Sequence, residues 1–575
     1  MAKVTDKTIR VEDGKEYPRE VWWLIACFIA TVSLFQFLSW AVSRLSRKSA
    51  SNGDAESGAS TATRRFSVRN IPTAIVNAYR VVAFRWTLQI GSSYTLNLAE
   101  VFVTCGYIIA LFVWEFVNTT DLEGKKLDLS YWGNRAGTIA SSQFPLITAL
   151  GTKNNVIAYI TGISYDKLNY IHRMSARVVF VLLWVHGGNK LVTDPFSNYP
   201  FWFMPIGLVA MVAFSILIIL IGGYFHAADQ NYGQYIWPSF LIWGLDRVIR
   251  VVRLVVFNHL YFWFTPKKSS LDATVELLSP HFVRLRLSRP SHFHWSPGQT
   301  AYIIMPGVSR FPTEAHPFTI ASVETPENAP VADNEKELSE REPYWRELVF
   351  LINVREGFTK RLADAARKGE KVKVLVDGPY GFTPNLTCDE TVVLVAGGSG
   401  VSFTLSTFLG VVNDVRAGKS ACRKVVWIWA IRDSSHIDWV SKALKQALEL
   451  APPYLSISIL IYVTSGEPLP VTNQRAFDDD SLHNGSDSNS GEKSSTIVSL
   501  LDFSAVQVCS GRPDLHTILR DEVAVASGHM SVTVCGSQAV ARACRAALRF
   551  PVSGPSNTLK GGADVKLHVE SFGYA

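Results

Sequence analysis

Two histidines fourteen positions apart, His172 and His186, stand near the ends of the apolar stretch Asn169 to Gly188, NYIHRMSARVVFVLLWVHGG. In a helix, at about 100° and 1.5 Å per residue, that spacing puts both imidazoles on roughly one face and about 21 Å apart. The stretch approaches the ~30 Å hydrocarbon thickness of a bilayer. Polar groups inside a membrane helix are costly and usually functional, and neutral imidazoles are ordinary axial ligands of haem iron. Electron transfer between two metal centres stacked across a membrane would account for both rings. The competing reading is that each ring sits at an interface and hydrogen-bonds a neighbour.

The rest of the chain must position such a site and feed it. Its 575 residues allow three or four domains, and 12% aromatics with a mean hydropathy of +0.14 is high for a wholly soluble protein. The seven cysteines include no CxxC pair and no zinc-like spacing, so neither a disulfide framework nor a cysteine-bound cluster is expected. A net charge of +7 is modest for this length, and no basic groove alternates with aromatics, which excludes a nucleic-acid partner. Val21 to Ser43 is apolar and free of charge, without the early short apolar region of a signal peptide, and reads as an anchor. The basic, Ser/Ala/Gly-rich stretch after it is expected in the cytosol by the positive-inside rule, with the N-terminus outside. Leu98 to Val117 is a second span, emerging at the sequon Asn118-Thr119-Thr120. A third apolar stretch, Ala136 to Leu150, returns, and the helix of His172 and His186 runs outward.

At this point NRAGTIASSQFPLITALGTKNN, the histidine stretch with its lead-in YDKLNYIHRMSARVVFVLLWVHGG, and the later IWPSFLIWGLDRVIR resemble the membrane domain of fungal ferric-chelate reductases, relatives of the NADPH oxidases. The resemblance implies two haems b, each held by two histidines from different helices. It assigns His172 to the cytosol-side haem, His186 to the outer one, and a further ligand to His226. The fourth ligand of that pattern would fall at Val212 or Ala213, neither of which binds iron. FWFMPIGLVAMVAFSILIILIGGYFHAADQ reads as two spans fused into one, so a segment of the haem domain is expected to be lacking. Losing one crossing would put the C-terminal half outside, whereas Arg247, Arg250 and Arg253 after the last span favour the inside.

Past Phe264 the composition becomes that of a soluble domain. ATVELLSPHFVRLRLSRP and AYIIMP alternate as strands and predict a small antiparallel barrel. The segment HPFTIAS, His316-Pro317-Phe318-Thr319-Ile320-Ala321-Ser322, is by itself a strand start confined to an edge by proline. In context it resembles the family's flavin motif, which implies His316 toward the FAD phosphates, Phe318 against the flavin and Thr319 near its reactive edge. Gly357-Phe358-Thr359 opens a helix whose free N–H groups suit a pyrophosphate, with Lys360 and Arg361 adding charge; an ordinary capped helix is the alternative. Gly378-Pro379-Tyr380 is a turn. ETVVLVAGGSGVSFTLSTFLGVV is strand, tight loop and helix, with Gly397, Gly398, Ser399, Gly400 and Val401 positioned to let backbone approach a phosphate. Further strand and helix units predict a parallel sheet with nucleotide at the strand ends. Through the resemblance, Cys535-Gly536 lies beside the nicotinamide of NADPH, Gly511-Arg512-Pro513 and Arg432 hold its 2′-phosphate, and Phe572 or Tyr574 covers the flavin ring.

The expected fold is therefore multi-domain: an α-helical transmembrane bundle followed by a ferredoxin-reductase-like module, an antiparallel β-barrel FAD domain plus an α/β parallel-sheet NADPH domain. The expected divisions are a head at 1–20, an anchor helix at 21–43, a partly disordered cytosolic linker at 44–97, a haem domain at 98–263, the FAD barrel at 264–386 and the NADPH domain at 387–575 with a disordered insert at 465–495. The resemblance implies a transmembrane reductase of ferric or cupric chelates in iron uptake, in the plasma membrane or a vacuolar or other internal membrane, with its flavin and NADPH domains cytosolic. It also implies partnership with a multicopper oxidase and an iron permease. Cys535, Thr319 and Phe572 are its catalytic candidates. A superoxide-generating oxidase, a haem-deficient non-catalytic variant and a dye-reducing flavoprotein with an idle membrane half stay open as alternatives.

Overall fold

The computed structural model describes residues 5–50, 66, 68–90, 94–124, 129–193, 233–260, 272–288, 293–324, 347–465, 500 and 503–570. It divides into two compact units, Met1–Asp54 with Ala99–Val252, and Ala55–Leu98 with Arg253–Ala575.

The first unit opens with α1, Asp6–Ala50. Reciprocal hydroxyl contacts start it: Thr5 N donates to Thr8 Oγ1 (3.0 Å) and Thr8 N to Thr5 Oγ1 (3.4 Å), satisfying amides the first turn leaves free. The expected head and the anchor at 21–43 meet within this one helix. The physical reason is that the polar head finds partners across the bundle. Asp13 pairs with Arg135 at 2.8 Å, Glu20 accepts from the Trp114 indole at 2.7 Å, and Asp6 accepts from the Tyr131 hydroxyl at 2.8 Å. The chain then contributes α2 (Ile71–Arg80), β1 (Thr87–Ile90) and β2 (Tyr94–Asn97) to the second unit before returning as α3, Leu98–Phe116. Among the described residues, Asp6–Leu38 and Leu98–Phe116 are long and apolar enough to cross a membrane.

The third apolar stretch forms two helices, α4 (Leu129–Ser142) and α5 (Phe144–Gly151), broken at Gln143 just before Pro145. After the short α6 (Val156–Thr161) comes the histidine helix, α7 (Tyr165–Thr193), whose 29 residues span about 44 Å. The last helix of the domain, α8 (Gly233–Val255), is fixed near its end by Asp246, buried and accepting from Asn154 N (2.9 Å), Asn154 Nδ2 (3.0 Å) and Arg247 (2.6 Å). The segment read as a fused span, 201–230, lies outside the described residues.

In the second unit β3 (Asp272–Ser279), β4 (Phe282–Leu287), β5 (Thr300–Ile304), β6 (Ala315–Thr319) and β7 (Leu348–Asn353) are followed by α9 (Phe358–Arg367), β8 (Val372–Lys373) and β9 (Leu375–Tyr380). They make two antiparallel sheets, ordered β7-β4-β3-β8 and β6-β5-β9, joined by a bridge between Ile320 and Phe350. Their inner faces close on Phe293, Ala301, Ile303, Phe350 and Ile352, the barrel core.

The chain continues through β10 (Thr391–Gly397), α10 (Val401–Arg416), β11 (Lys424–Ile431), α11 (Ser441–Leu450), β12 (Ser456–Val463), β13 (Val506–Ser510), α12 (Leu515–Val525), β14 (His529–Cys535), α13 (Gln538–Ala547), α14 (Pro555–Leu559) and β15 (Asp564–Glu570). Six parallel strands run in the order β13-β12-β11-β10-β14-β15. Helices cover both faces, as the continuous apolar strands VVLVA and VVWIWAI require. Of the expected insert, all but Ser465 lies outside the described residues.

The second half of the expected linker is ordered against this sheet. Its anchor is Arg85, 1% exposed, whose guanidinium donates to Leu548 O (2.7 Å), Ser553 Oγ (2.9 Å) and Val565 O (2.5 Å). Asn77 donates to Thr558 Oγ1 at 2.9 Å and Arg80 pairs with Asp564 at 3.1 Å. A low-complexity approach conceals these contacts because single polar residues, with no apolar period, make them. Arg85→Ala strands three acceptors without a donor, so a loss of about 3 kcal/mol is expected, read as a lowered thermal midpoint of the purified protein.

Candidate functional site

The flavin side of the site is built on β5. Its register sets Ile303 opposite His316, Tyr302 opposite Pro317, Ala301 opposite Phe318 and Thr300 opposite Thr319, while β9 pairs along its other edge. Residues 378–380, expected as a turn, instead form the end of β9, because they pair with β5, and so are held one strand away from the motif at 316–319. The third element joins through aromatic contact: the Phe358 ring stacks on His316 at 4.2 Å and lies 6.3 Å from Phe318. Gly357 precedes α9 at φ +77, a left-handed backbone suited to glycine, and no side chain caps the helix. Amides of the first turn stay available for an anion. The Thr359 hydroxyl is already committed, accepting from Arg355 N (2.7 Å) and donating to Arg355 O (3.1 Å).

The seven-residue motif divides. His316 and Phe318 are half-buried, Pro317 is exposed and Thr319 is 5% exposed. Ile320, Ala321 and Ser322 are wholly inside the barrel: Ile320 N donates to Gln299 O, Ala321 N to Val349 O, and Ser322 Oγ accepts from Val349 N. They support the motif from within.

Two features were not foreseen. Glu314 accepts from His316 Nε2 at 2.7 Å and lies 3.7 Å from the Arg361 guanidinium, so one carboxylate holds both side chains assigned to the FAD phosphates. The His316 hydrogen bond first, then the backbone amide of Arg310, hold its carboxyl below the usual range against a small opposing effect of burial. Arg253, singled out above for its charge, lies over the Tyr380 ring at 4.8 Å and donates to Pro379 O at 3.3 Å. Asn258 exchanges two 2.9 Å bonds with the backbone of Val376. Together these fasten the chain leaving α8 to the strand carrying Gly378 and Tyr380. Only the folded barrel brings these distant positions into contact.

The nicotinamide side lies where the sheet order reverses, between the carboxyl ends of β10 and β14. A Cβ on Gly400 would lie 2.1 Å from Cys535 O, and one on Gly536 would lie 3.0 Å from Gly397 N. Four of the proposed residues thus pack backbone against backbone. Ser399 and Val401 flank them in the turn that opens α10, and Trp429 Nε1 donates to Gly398 O at 3.1 Å. Arg432 and Arg512 are exposed just beyond β11 and β13, on one rim of the sheet and two strand spacings, about 10 Å, apart. Gly511, at φ +89, donates to Val463 O and leads into Pro513. β15 ends with Glu570 opposite Cys535, so the chain leaves the sheet beside that residue. Phe572 and Tyr574 lie outside the described residues.

Cys535 is fully buried, and burial pushes its thiol well above the ordinary value, with the Glu570 charge adding to the effect. Thiolate is the reactive form, so folded Cys535 is expected to resist maleimide at pH 8 and to be modified once the protein is denatured, as peptide mass spectrometry would read.

In the membrane domain each histidine ring is held from the facing helices. His172 Nδ1 contacts Ile147 O at 2.7 Å and His186 Nδ1 contacts Gly133 O at 2.9 Å. A carbonyl only accepts, so each Nδ1 carries a proton, and in a neutral ring of that tautomer Nε2 is the nitrogen able to ligate a metal. The pairing 133 with 186 and 147 with 172 also shows that α4 and α5 run antiparallel to α7. Glycines make the room: a Cβ on Gly137 would lie 2.7 Å from His186 Nδ1, and one on Gly151 would lie 3.0 Å from His172. This orientation by a second shell fits an axial haem ligand. His226 lies outside the described residues, as do Val212 and Ala213.

A helical membrane domain with oriented histidines, a flavin-type barrel and a nucleotide-type parallel sheet define a membrane flavin reductase. Three family models match in that order: a ferric reductase like transmembrane component over residues 136–231, an FAD-binding domain over 267–384 and a ferric reductase NAD binding domain over 389–548. The chain is 25% identical over 512 residues to a probable ferric reductase transmembrane component of Candida albicans, covering 82% of this chain and 69% of the relative. It is also 25% identical to ferric/cupric reductase transmembrane component 1 of the same species (82% and 61%) and to ferric reductase transmembrane component 5 of Saccharomyces cerevisiae (71% and 57%). Over most of its length the chain is similar to fungal ferric reductases. It spans between about half and two thirds of the length of most of the curated relatives it matches.

Proposed function

We propose that this chain moves electrons from NADPH, through FAD and haem b, to a ferric or cupric chelate on the far face of the membrane. The observation that carries the reading is the pair of histidines held about 21 Å apart along α7, each with Nδ1 bonded to a backbone carbonyl, in a chain that also carries both nucleotide domains. FAD would supply the conversion of a two-electron hydride to single electrons, and haem b, for which His172 and His186 are the oriented candidate ligands, would supply one-electron transfer. The balance is one NADPH and two ferric ions giving NADP⁺, one proton and two ferrous ions.

The chain's own residues bind and orient. Gly397 to Val401 and Gly536 bring backbone against the nicotinamide nucleotide, with Arg432, Gly511, Arg512 and Pro513 at its 2′-phosphate. Cys535 shapes the nicotinamide pocket as a neutral thiol. His316, Gly357 and Thr359 face the FAD phosphates, while Phe318, Thr319 and Gly378 to Tyr380 line the ring, and Phe572 covers it. A cytosolic flavin face is supported by Arg247, Arg250 and Arg253, and by residues 68–97, which join the nucleotide domains before α3 begins. The plasma membrane, a multicopper oxidase and an iron permease complete the proposed setting.

One observation favours a second reading, a haem-deficient form: Val212 and Ala213 stand where the family resemblance expects the fourth ligand. Haem stoichiometry of the purified full chain, measured beside chelate reduction across the membrane, separates the two. Two haems with chelate reduction support the proposal and require another ligand in place of the absent histidine. One haem or none, with NADPH-driven dye reduction intact, overturns it and leaves a flavin module whose path outward is cut. Superoxide in place of reduced chelate would identify an oxidase.

A further inference from the structure

The segment from Ile71 to Leu88 has its polarity reversed. A surface helix ordinarily buries its apolar stripe and shows its polar one to water. Here the face turned to the nicotinamide domain is mostly small or polar, with Ala74, Asn77, Ala83 and Arg85 buried beside the single larger apolar residue Val81. The face turned away carries Ile71, Ile75, Val82, Trp86 and Leu88, with Ile75 64% exposed, Leu88 53% and Trp86 48%. At 100° per residue Ile71 and Ile75 share one stripe of α2, while Ala74 and Asn77 share another. Beyond it Val81, Ala83 and Arg85 alternate inward while Val82, Trp86 and Leu88 point out.

The occupant of the outward face follows from continuity. Leu98 N, the first residue of the membrane helix α3, donates to the carbonyl of Trp86 at 3.1 Å. The backbone of Trp86 is therefore hydrogen-bonded to the first residue of a helix long and apolar enough to span, near the depth at which tryptophan is favoured. We propose that residues 71–88 are an interfacial anchor, gripping the nicotinamide domain through Asn77, Arg80 and Arg85 and laying Ile75, Val82, Trp86 and Leu88 into the lipid headgroup region. An apolar face directed at lipid has no reason to turn inward, which removes the anomaly. The anchor ties the outer strand of the sheet, at Asp564 and Val565, to the membrane surface independently of which acceptor the enzyme serves.

The test uses the full chain with Cys27→Ser and Cys105→Ser, reconstituted in phosphatidylcholine–phosphatidylserine vesicles. An environment-sensitive fluorophore is placed at Ile75→Cys, at Val82→Cys or, as a water-facing control, at Val525→Cys, a position 77% exposed on the nicotinamide domain. Headgroup-proximal spin-labelled lipid is expected to quench positions 75 and 82 about twofold or more beyond the control, and iodide correspondingly less. Iodide quenching at 75 and 82 equal to that at 525 would mean water faces the segment and would overturn the proposal. Protection from both quenchers would mean a protein surface covers it, which overturns it equally. Two labelled positions and retained NADPH-driven dye reduction guard against a misfolded variant, and the readout does not depend on the chelate-reductase reading.

Discussion

His172→Ala is expected to remove a haem signal from the reduced spectrum and to lower chelate reduction across the membrane about 100-fold or more, with NADPH-driven dye reduction within about twofold of the parent. His186→Ala should do the same to the transmembrane rate. Each ring donates Nδ1–H to a carbonyl of the opposing helices and sits where Gly137 or Gly151 leaves no room for a methyl group. A ring that merely satisfied itself at an interface would need no such cavity. The glycines supply the more discriminating variant. In Gly137→Ala the new Cβ would lie 2.7 Å from His186 Nδ1, so the ring must move and its bond to Gly133 O must lengthen. Loss of ligand orientation of this kind typically costs 10- to 100-fold in metal affinity or activity. If all three variants keep the parental haem content, the rings are structural and the electron path lies elsewhere.

What was legible in the chain depended on whether the signal was local. The sheet strands could be read because VVLVA and VVWIWAI are continuous apolar runs that only a doubly covered sheet buries. The glycine turn after β10 could be read because close backbone approach needs glycines in sequence. Glu314 was missed although it lies two residues from His316, because an acidic residue beside a phosphate site argues against itself until geometry shows it pairing with His316 and Arg361. Residues 320–322 were grouped with the flavin motif by adjacency, and their backbone bonds to Gln299 and Val349 and the bridge to Phe350, which fix them in the barrel wall, depend on positions far from them in the chain. The order in 68–90 and 94–97 was hidden for a different reason. Arg85 reaches partners more than 460 residues away, and no periodicity announces one long-range arginine.

The second large effect is expected from Gly400→Ala. At this position φ is −59, so alanine fits the backbone and the obstacle is space alone. Its Cβ would stand 2.1 Å from Cys535 O, 2.7 Å from Cys535 C and 3.2 Å from Gly536 N, all backbone of the neighbouring strand and unable to rotate aside. The ends of β10 and β14 must part by about 1 Å, a displacement that costs on the order of 100-fold when reacting groups depend on alignment. NADPH-driven dye reduction should fall by that factor while bound FAD per chain stays at the parental level, because the barrel makes the flavin site without these strands. Gly398→Ala is the internal comparison. Its Cβ meets nothing within 4 Å, but its φ of +55 is left-handed, which costs about 1–2 kcal/mol for a residue with a side chain. A milder loss, about 5- to 30-fold, is expected there. Equal losses at both positions would mean that turn conformation, and not the contact between Gly400 and Cys535, sets the geometry for hydride transfer.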